Sequence, residues 1–224
     1  MSKSLKIKAY FLAALICGGL LSEPSFASDK SGFQYWSTAE FNVDLDKDWT
    51  VTFSEEFRLG DEGGNLYYHR SDIGFVYKGF ADWIDVGANF RKVYEDTGGT
   101  WRQENRPHIN VTLKGKLGDI AVSTRSRFEY RDREEKEDIW RYRNKVTFKL
   151  PGELTKLKLK PYLADEVYIN FNEEGYVRNR FYSGVAFSIA KNVKADIYYL
   201  WQSSRASPGR DDIHALGTKL IFRF

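Results

Sequence analysis

The sequence predicts an all-β fold, an antiparallel transmembrane β-barrel of 10 to 12 strands with short periplasmic turns and longer outer loops. Three observations lead there. Apolar and polar residues alternate with a period of two almost from residue 33 to the end, the spacing at which successive side chains point to opposite faces of a sheet. The strand-like segments are long, and their connections alternate between short and longer, as in outer-membrane barrels. Six Trp, 14 Tyr and 16 Phe accompany a single Met, and the mean hydropathy is −0.52. At 29% charged residues, no repeated apolar runs of about 20 residues occur, which excludes a helical membrane bundle. An aromatic content of 16% excludes a disordered chain.

Residues 1–27 read as a secretory signal peptide preceding a barrel over 28–224. Lys3, Lys6 and Lys8 form its basic start and Ala9 to Leu21 its short apolar run; Ser25-Phe26-Ala27 places small residues for cleavage near Ala27. The only cysteine, Cys17, falls inside it. An uncleaved anchor is the alternative, although the apolar run is short for spanning. Cleavage leaves 197 residues with 31 basic and 30 acidic side chains. Without cysteine, an exported chain of this size needs a device other than disulfides, and closure of a barrel is one. The expected location is the bacterial outer membrane.

Eleven segments then follow, over 33–45, 49–60, 66–78, 83–95, 101–115, 119–131, 139–150, 156–171, 176–190, 193–203 and 213–224. In Trp49-Thr50-Val51-Thr52-Phe53-Ser54 the odd positions are apolar and the even ones polar. Ile109, Val111 and Leu113 mark one face of the fifth segment, and Arg102, Glu104, Arg106 and His108 mark the other. Trp140, Tyr142, Val146 and Phe148 alternate with Arg141, Arg143, Lys145 and Thr147; the eighth segment carries the series Leu157, Leu159, Leu163, Val167, Ile169 and Phe171. Short turns fall near 46–48, 79–82, 116–118, 151–155 and 191–192, and longer polar loops at 61–65, 96–100, 132–138, 172–175 and 204–212. Trp36, Trp49, Trp83, Trp101, Trp140 and Trp201, near strand ends, are placed in interfacial girdles. The soluble alternative, a lipocalin-like barrel or sandwich, would turn its apolar face inward and would normally contain some helix.

Eleven strands conflict with the even number of single-chain bacterial barrels. Either segment 33–45 closes a twelve-stranded barrel with an unrecognised partner, or it lies outside a ten-stranded one. In the last segment Leu216, Thr218, Leu220, Phe222 and Phe224 share a face. Leu220, Phe222 and the terminal Phe224 resemble the C-terminal signal read by the barrel assembly machinery. The opening Phe33-Gln34-Tyr35-Trp36-Ser37-Thr38-Ala39-Glu40-Phe41, the Glu104-Asn105-Arg106-Pro107 patch and the Arg-rich strands after it resemble the bacterial outer-membrane barrels catalogued as domain of unknown function 2490. The resemblance implies fold and location; it brings no activity and no catalytic residues.

If the apolar face meets lipid, the polar face lines the lumen. That assignment gives 22 basic residues against nine acids, Glu40, Asp44, Glu56, Asp72, Asp85, Glu104, Glu129, Glu166 and Asp196. The anion-binding candidates are Arg102, Arg106, Arg125, Arg127, Arg141, Arg143, Arg178 and Arg180. Two readings stand side by side. A narrow barrel filled by Arg–Glu networks passes nothing; surplus arginine on consecutive strands makes a track for small anions. No glycine-rich phosphate loop, metal-ligand spacing or CxxC motif is present, and neither cofactor nor metal is expected. The expected partners are outer-membrane lipids and lipopolysaccharide, the assembly machinery and small anionic solutes, with no nucleic acid.

A second chemistry is written in Tyr68-His69-Arg70-Ser71-Asp72-Ile73-Gly74. His-x-Ser is similar to the H-x-S-N pattern of outer-membrane phospholipases and lipid A deacylases, with Asp72 where those carry Asn. Residues two apart on a strand share a face, so the histidine can serve the serine hydroxyl as base. If residue 60 stands opposite 66, Glu55 lies opposite Ser71, and Glu55, His69 and Ser71 all face lipid. The plain alternative is a harmless His69 at headgroup level beside a snorkelling Glu55.

Overall fold

The computed structural model describes residues 33–60, 63–152, 154–155, 158–171, 175–206 and 209–224. The signal segment 1–27, Leu157 and Lys156 lie outside the described residues. Among the described residues eleven strands run as β1 (Phe33–Asp44), β2 (Trp49–Gly60), β3 (Asn65–Ala81), β4 (Ile84–Asp96), β5 (Trp101–Leu117), β6 (Ile120–Arg133), β7 (Ile139–Lys149), β8 (Lys160–Asn170), β9 (Gly175–Ala190), β10 (Val193–Arg205) and β11 (Arg210–Arg223). They close into a single barrel in sequence order, with β1 beside β11.

Closure corrects both strand-number alternatives. Sequential pairs are antiparallel, but β1 pairs with β11 in parallel, from Phe33↔His214 to Asn42↔Arg223. An odd number of strands brings the first and last edges together pointing the same way, and their backbone groups can satisfy each other without a twelfth strand. The terminal residue takes part: Phe224 donates to Asn42 O at 2.9 Å and accepts from Asp44 N at 3.0 Å. The last strand therefore serves both of its neighbours. Its outward Phe222 stacks on Phe41, with centroids 4.9 Å apart.

One rim carries connections of four or five residues, at 61–64, 97–100, 134–138, 171–174 and 206–209. The other has two-residue turns at 82–83, 118–119 and 191–192 and four residues at 45–48. It also holds the longest connection, 150–159, where a short turn over 151–155 is expected from the sequence. There β8 begins at Lys160 rather than 156, and Leu154 and Leu159 form an isolated bridge. Leu157 and Leu159 continue the parity of β8, so alternation alone extends the strand too far.

The outward face is mostly apolar: Phe53, Ile73, Phe75, Phe90, Ile109, Phe128, Ile197 and Leu216 are all exposed. The inward face is charged and aromatic, the inverse of a soluble ligand-binding barrel. Exposed tryptophans stand near both rims, Trp101, Trp140 and Trp201 by the loops and Trp49 and Trp83 by the turns. Trp36 is an exception to the girdle expectation. It occupies an even, inward position of β1, is 2% exposed, and packs with Tyr162, Ala164, Tyr182, Leu200 and Ala215. Gly184 and Gly217 give Tyr198 its place beside this cluster, because a Cβ at either would run into that side chain.

Candidate functional site: an arginine-lined chamber

Inside the barrel lies a chamber of about 940 Å³. It reaches from Asp211 and Asp212 near the loop rim to Glu40, Asp196 and Lys219 in the opposite half. Alternation builds it, because every second residue of each strand is delivered to the interior. Among the described residues fifteen basic and eight acidic side chains line it. The surplus is smaller than the strand-by-strand assignment, since several cations lie at the rims instead. Arg102 pairs with the loop residue Glu135 at 2.8 Å, Lys114 with Asp85 at 2.7 Å, and Arg223 with Asp44 at 2.7 Å.

Most interior arginines are held by acids. Glu56 takes Arg58 at 2.6 Å and Arg70 at 2.8 Å; Asp72 takes Arg91 at 2.7 Å. Glu104 clamps Arg106 and Arg131 through two oxygens each, at 2.5 to 2.8 Å. Glu129, fully buried, holds Arg141, with Arg143 at 3.6 Å. Glu166, 1% exposed, is the hub: Arg143 donates at 2.7 Å, Arg125 at 3.2 Å, and the Tyr168 and Tyr182 hydroxyls donate at 2.9 and 3.0 Å. Such bidentate and shared pairs explain how dense charge is tolerated in a narrow interior.

A second group has no acid within hydrogen-bonding distance. Arg178 donates its Nε to Ser204 at 2.9 Å, and Arg180 donates its Nε to Gln202 at 2.7 Å. Both acceptors are neutral, and neither arginine has an acid within 4.0 Å among the described residues. Arg127 donates to Asn110 at 2.7 Å; its Nη1 has no hydrogen-bond partner and stands 4.0 Å from Glu129. Lys145 points its ammonium at the Tyr182 ring, 3.5 Å from the centroid. Aromatic faces support the guanidinium planes: Arg180 lies 4.8 Å from the Trp36 centroid and 5.1 Å from that of Tyr168. Arg58 lies 3.7 Å from Trp36 and 4.0 Å from Tyr68. Stacking fixes a guanidinium plane and leaves its N–H edge to bind. The η nitrogens of Arg178 and Arg180 therefore form an edge aimed at the chamber without a fixed anion.

Of the eight arginines singled out from sequence, seven line this chamber and Arg102 does not. Sequence reasoning missed Trp36, Tyr168, Tyr182, Gln202 and Ser204. Parity was the available signal: Tyr162, Tyr168, Tyr182 and Tyr198 fall on the same even positions as the interior charges of their strands. Aromatic residues are ambiguous there, because they suit an apolar wall and an arginine stack equally well.

The outward cluster has the pairing the sequence predicts but by a different route: Gly60 meets Asn65 rather than Leu66, and a register shift between Arg58 and Leu59 brings Glu55 opposite Ser71. Glu55 stands opposite Ser71 and Phe57 opposite His69. His69 Nε2 and Glu55 Oε2 are 2.6 Å apart, while His69 makes no hydrogen bond to Ser71. Among the described residues no group of three His, Cys, Asp or Glu side chains could hold a metal ion.

Fold and interior define a closed β-barrel with a charged core and an apolar wall. The chain belongs to the family described as protein of unknown function (DUF2490), which it matches over residues 33–213. No curated protein matches it.

Proposed function

We propose that the chain is exported under the 1–27 signal and spans the bacterial outer membrane as a narrow barrel. Its chamber attracts small anions, which it binds or passes. The observation that carries the reading is the Arg178–Arg180 edge, two guanidinium groups with neutral partners in a chamber holding a surplus of cations. Low-dielectric walls focus such a surplus into a positive potential.

The membrane part is supported by the apolar wall, the two tryptophan rims and strands of 11 to 17 residues, against the 9–11 a tilted span requires. Outer-membrane lipids and lipopolysaccharide would then be the wall's neighbours. Leu220, Phe222 and Phe224, on the outward face of the last strand, would be the element that the assembly machinery reads.

Anion stabilisation tests the chamber. At matched ionic strength, citrate should raise the temperature at which the folded, heat-modifiable form is lost, as any ligand selective for the folded state does. Arg178→Gln/Arg180→Gln should abolish that rise and leave folding intact. Equal stabilisation of the double variant would refute the assignment.

A further inference from the structure

On the outer wall, β2, β3 and β4 bring together groups that an apolar surface has no reason to hold. Glu55 and His69 are joined at 2.6 Å, with side chains 24% and 30% exposed. Ser71 is directly opposite Glu55 and shares the outer face of β3 with His69. Lys92 stands opposite Ser71 on β4, its ammonium 5.4 Å from the Tyr94 ring centroid. The imidazole is stacked near-parallel with Phe57, at 4.6 Å and 4°, and with Tyr94, at 6.1 Å and 12°. Around them Phe53, Ile73 and Phe90 are exposed and apolar.

Two rings fix the plane of His69, and Glu55 fixes one of its nitrogens. The second nitrogen remains for a proton, and Ser71 is the hydroxyl on the same strand face. His69 and Ser71 lie four and six residues past the start of β3 at the loop rim, roughly 10–15 Å below it for a tilted strand. Under the membrane reading that depth is where the ester groups of the outer leaflet lie. A basic residue facing mid-bilayer costs about 2–4 kcal/mol, less near the interface and less for an acid, so an acid, a base and a hydroxyl gathered there call for a substrate that arrives from the lipid.

We infer that Glu55, His69 and Ser71 form a lipid-facing acyl-ester hydrolase site. Its substrate class is the fatty-acyl ester of an outer-leaflet amphiphile, glycerophospholipid or lipid A. Ser71 Oγ attacks the ester carbonyl as His69 accepts the hydroxyl proton. The carbon–oxygen bond to the alcohol breaks, and the proton passes to the departing alkoxide, leaving an acyl ester on Ser71. Water then attacks that ester, His69 takes its proton and returns it to Oγ, and a free fatty acid leaves. Nothing is oxidised or reduced. Lys92 supplies positive charge beside the developing oxyanion, and Glu55 is a positioning residue that holds the ring and supports its charged form.

The site rests on the membrane reading, and the test separates the two. The full-length protein is reconstituted in vesicles of phosphatidylethanolamine and phosphatidylglycerol, and in the same vesicles carrying lipopolysaccharide. Insertion is read by heat-modifiable migration, and released fatty acid by mass spectrometry. Wild type should release fatty acid, and the vesicle that yields it identifies the source. Ser71→Ala and His69→Ala should each lower the rate by at least about 10³-fold while inserting normally. A fluorophosphonate probe should label wild type and spare Ser71→Ala. Glu55→Gln should lower kcat with KM unchanged, which a general loss of structure would not do. Insertion without release from either vesicle, or release by Ser71→Ala at the wild-type rate, overturns this site alone. Failure of wild type to insert overturns the membrane reading and the site together.

Discussion

Glu166→Gln isolates the energetics of the interior, because it removes one charge and almost no volume. Its carboxylate receives Arg143 at 2.7 Å and Arg125 at 3.2 Å, besides two tyrosine hydroxyls. Arg143 is 8% exposed and Arg125 36% exposed. A buried hydrogen bond to a charged group contributes about 1.5–3 kcal/mol, and the half-exposed Arg125 pair well under 1 kcal/mol after solvent screening. The tyrosine hydroxyls can turn to suit an amide, so their share is small. The sum is about 3 kcal/mol, a factor of about 10² in the folded population, within the range for breaking a buried pair. Urea unfolding in phospholipid vesicles, followed by tryptophan fluorescence and gel migration, measures it. The comparison is Glu40→Gln, whose partner Lys219 lies at 2.5 Å but with both side chains more than a quarter exposed; its cost should stay below about 1 kcal/mol. High salt should shrink the Glu40 effect and leave the Glu166 effect, since buried pairs are little screened. Arg143→Met added to Glu166→Gln should recover part of the loss, because it removes the orphaned charge. A Glu166→Gln cost no larger than that of Glu40→Gln would refute the hub.

Closure by a parallel seam predicts that Ser37→Cys/Thr218→Cys, partners in register on β1 and β11, cross-links under mild oxidation; a barrel of ten strands with β1 outside would leave both thiols free. Subcellular fractionation should recover the protein with outer membranes in a heat-modifiable form, and recovery in the soluble periplasm would sink the membrane reading. In the 134–138 loop, the Arg133 backbone N–H at 2.9 Å and the Tyr130 hydroxyl at 2.7 Å hold the Asp138 carboxyl below its usual range. Its contribution to loop order is therefore present above the ordinary aspartate pKa and lost as pH falls through the lowered value. Carbon-13 NMR of that carboxyl should show the lowered midpoint, and Asp138→Asn should abolish the pH dependence.

Alternation made the strands, their order and their faces legible, because outward-facing and interior residues differ sharply in polarity and every strand repeats the contrast. The closure was not legible. Alternation says nothing about whether two edge strands meet parallel or antiparallel, and Phe33–Asp44 reads alike in either case. Trp36 was misplaced because aromatic residues near strand ends suit an interface, while its even position put it on Arg58 and Arg180. The Glu55–Ser71 pairing follows from setting residue 60 opposite 66, yet Gly60 meets Asn65, and it is the bulge between Arg58 and Leu59, which a loop length does not reveal, that restores the pairing. The 2.6 Å contact to His69 depends on the slot between Phe57 and Tyr94, the latter from a strand that the hairpin alone does not reveal. The pairing of interior arginines was legible only as a charge count, since which of them keep an acid depends on strand register around the barrel.

Planar-bilayer recording across a salt gradient tests the chamber most directly. The reversal potential of the wild-type barrel should take the sign of anion preference, weaken as salt rises, and lose that preference in Arg178→Glu/Arg180→Glu. A cation preference in wild type, or an anion preference unchanged in the double variant, would contradict an anion-attracting chamber built on these arginines.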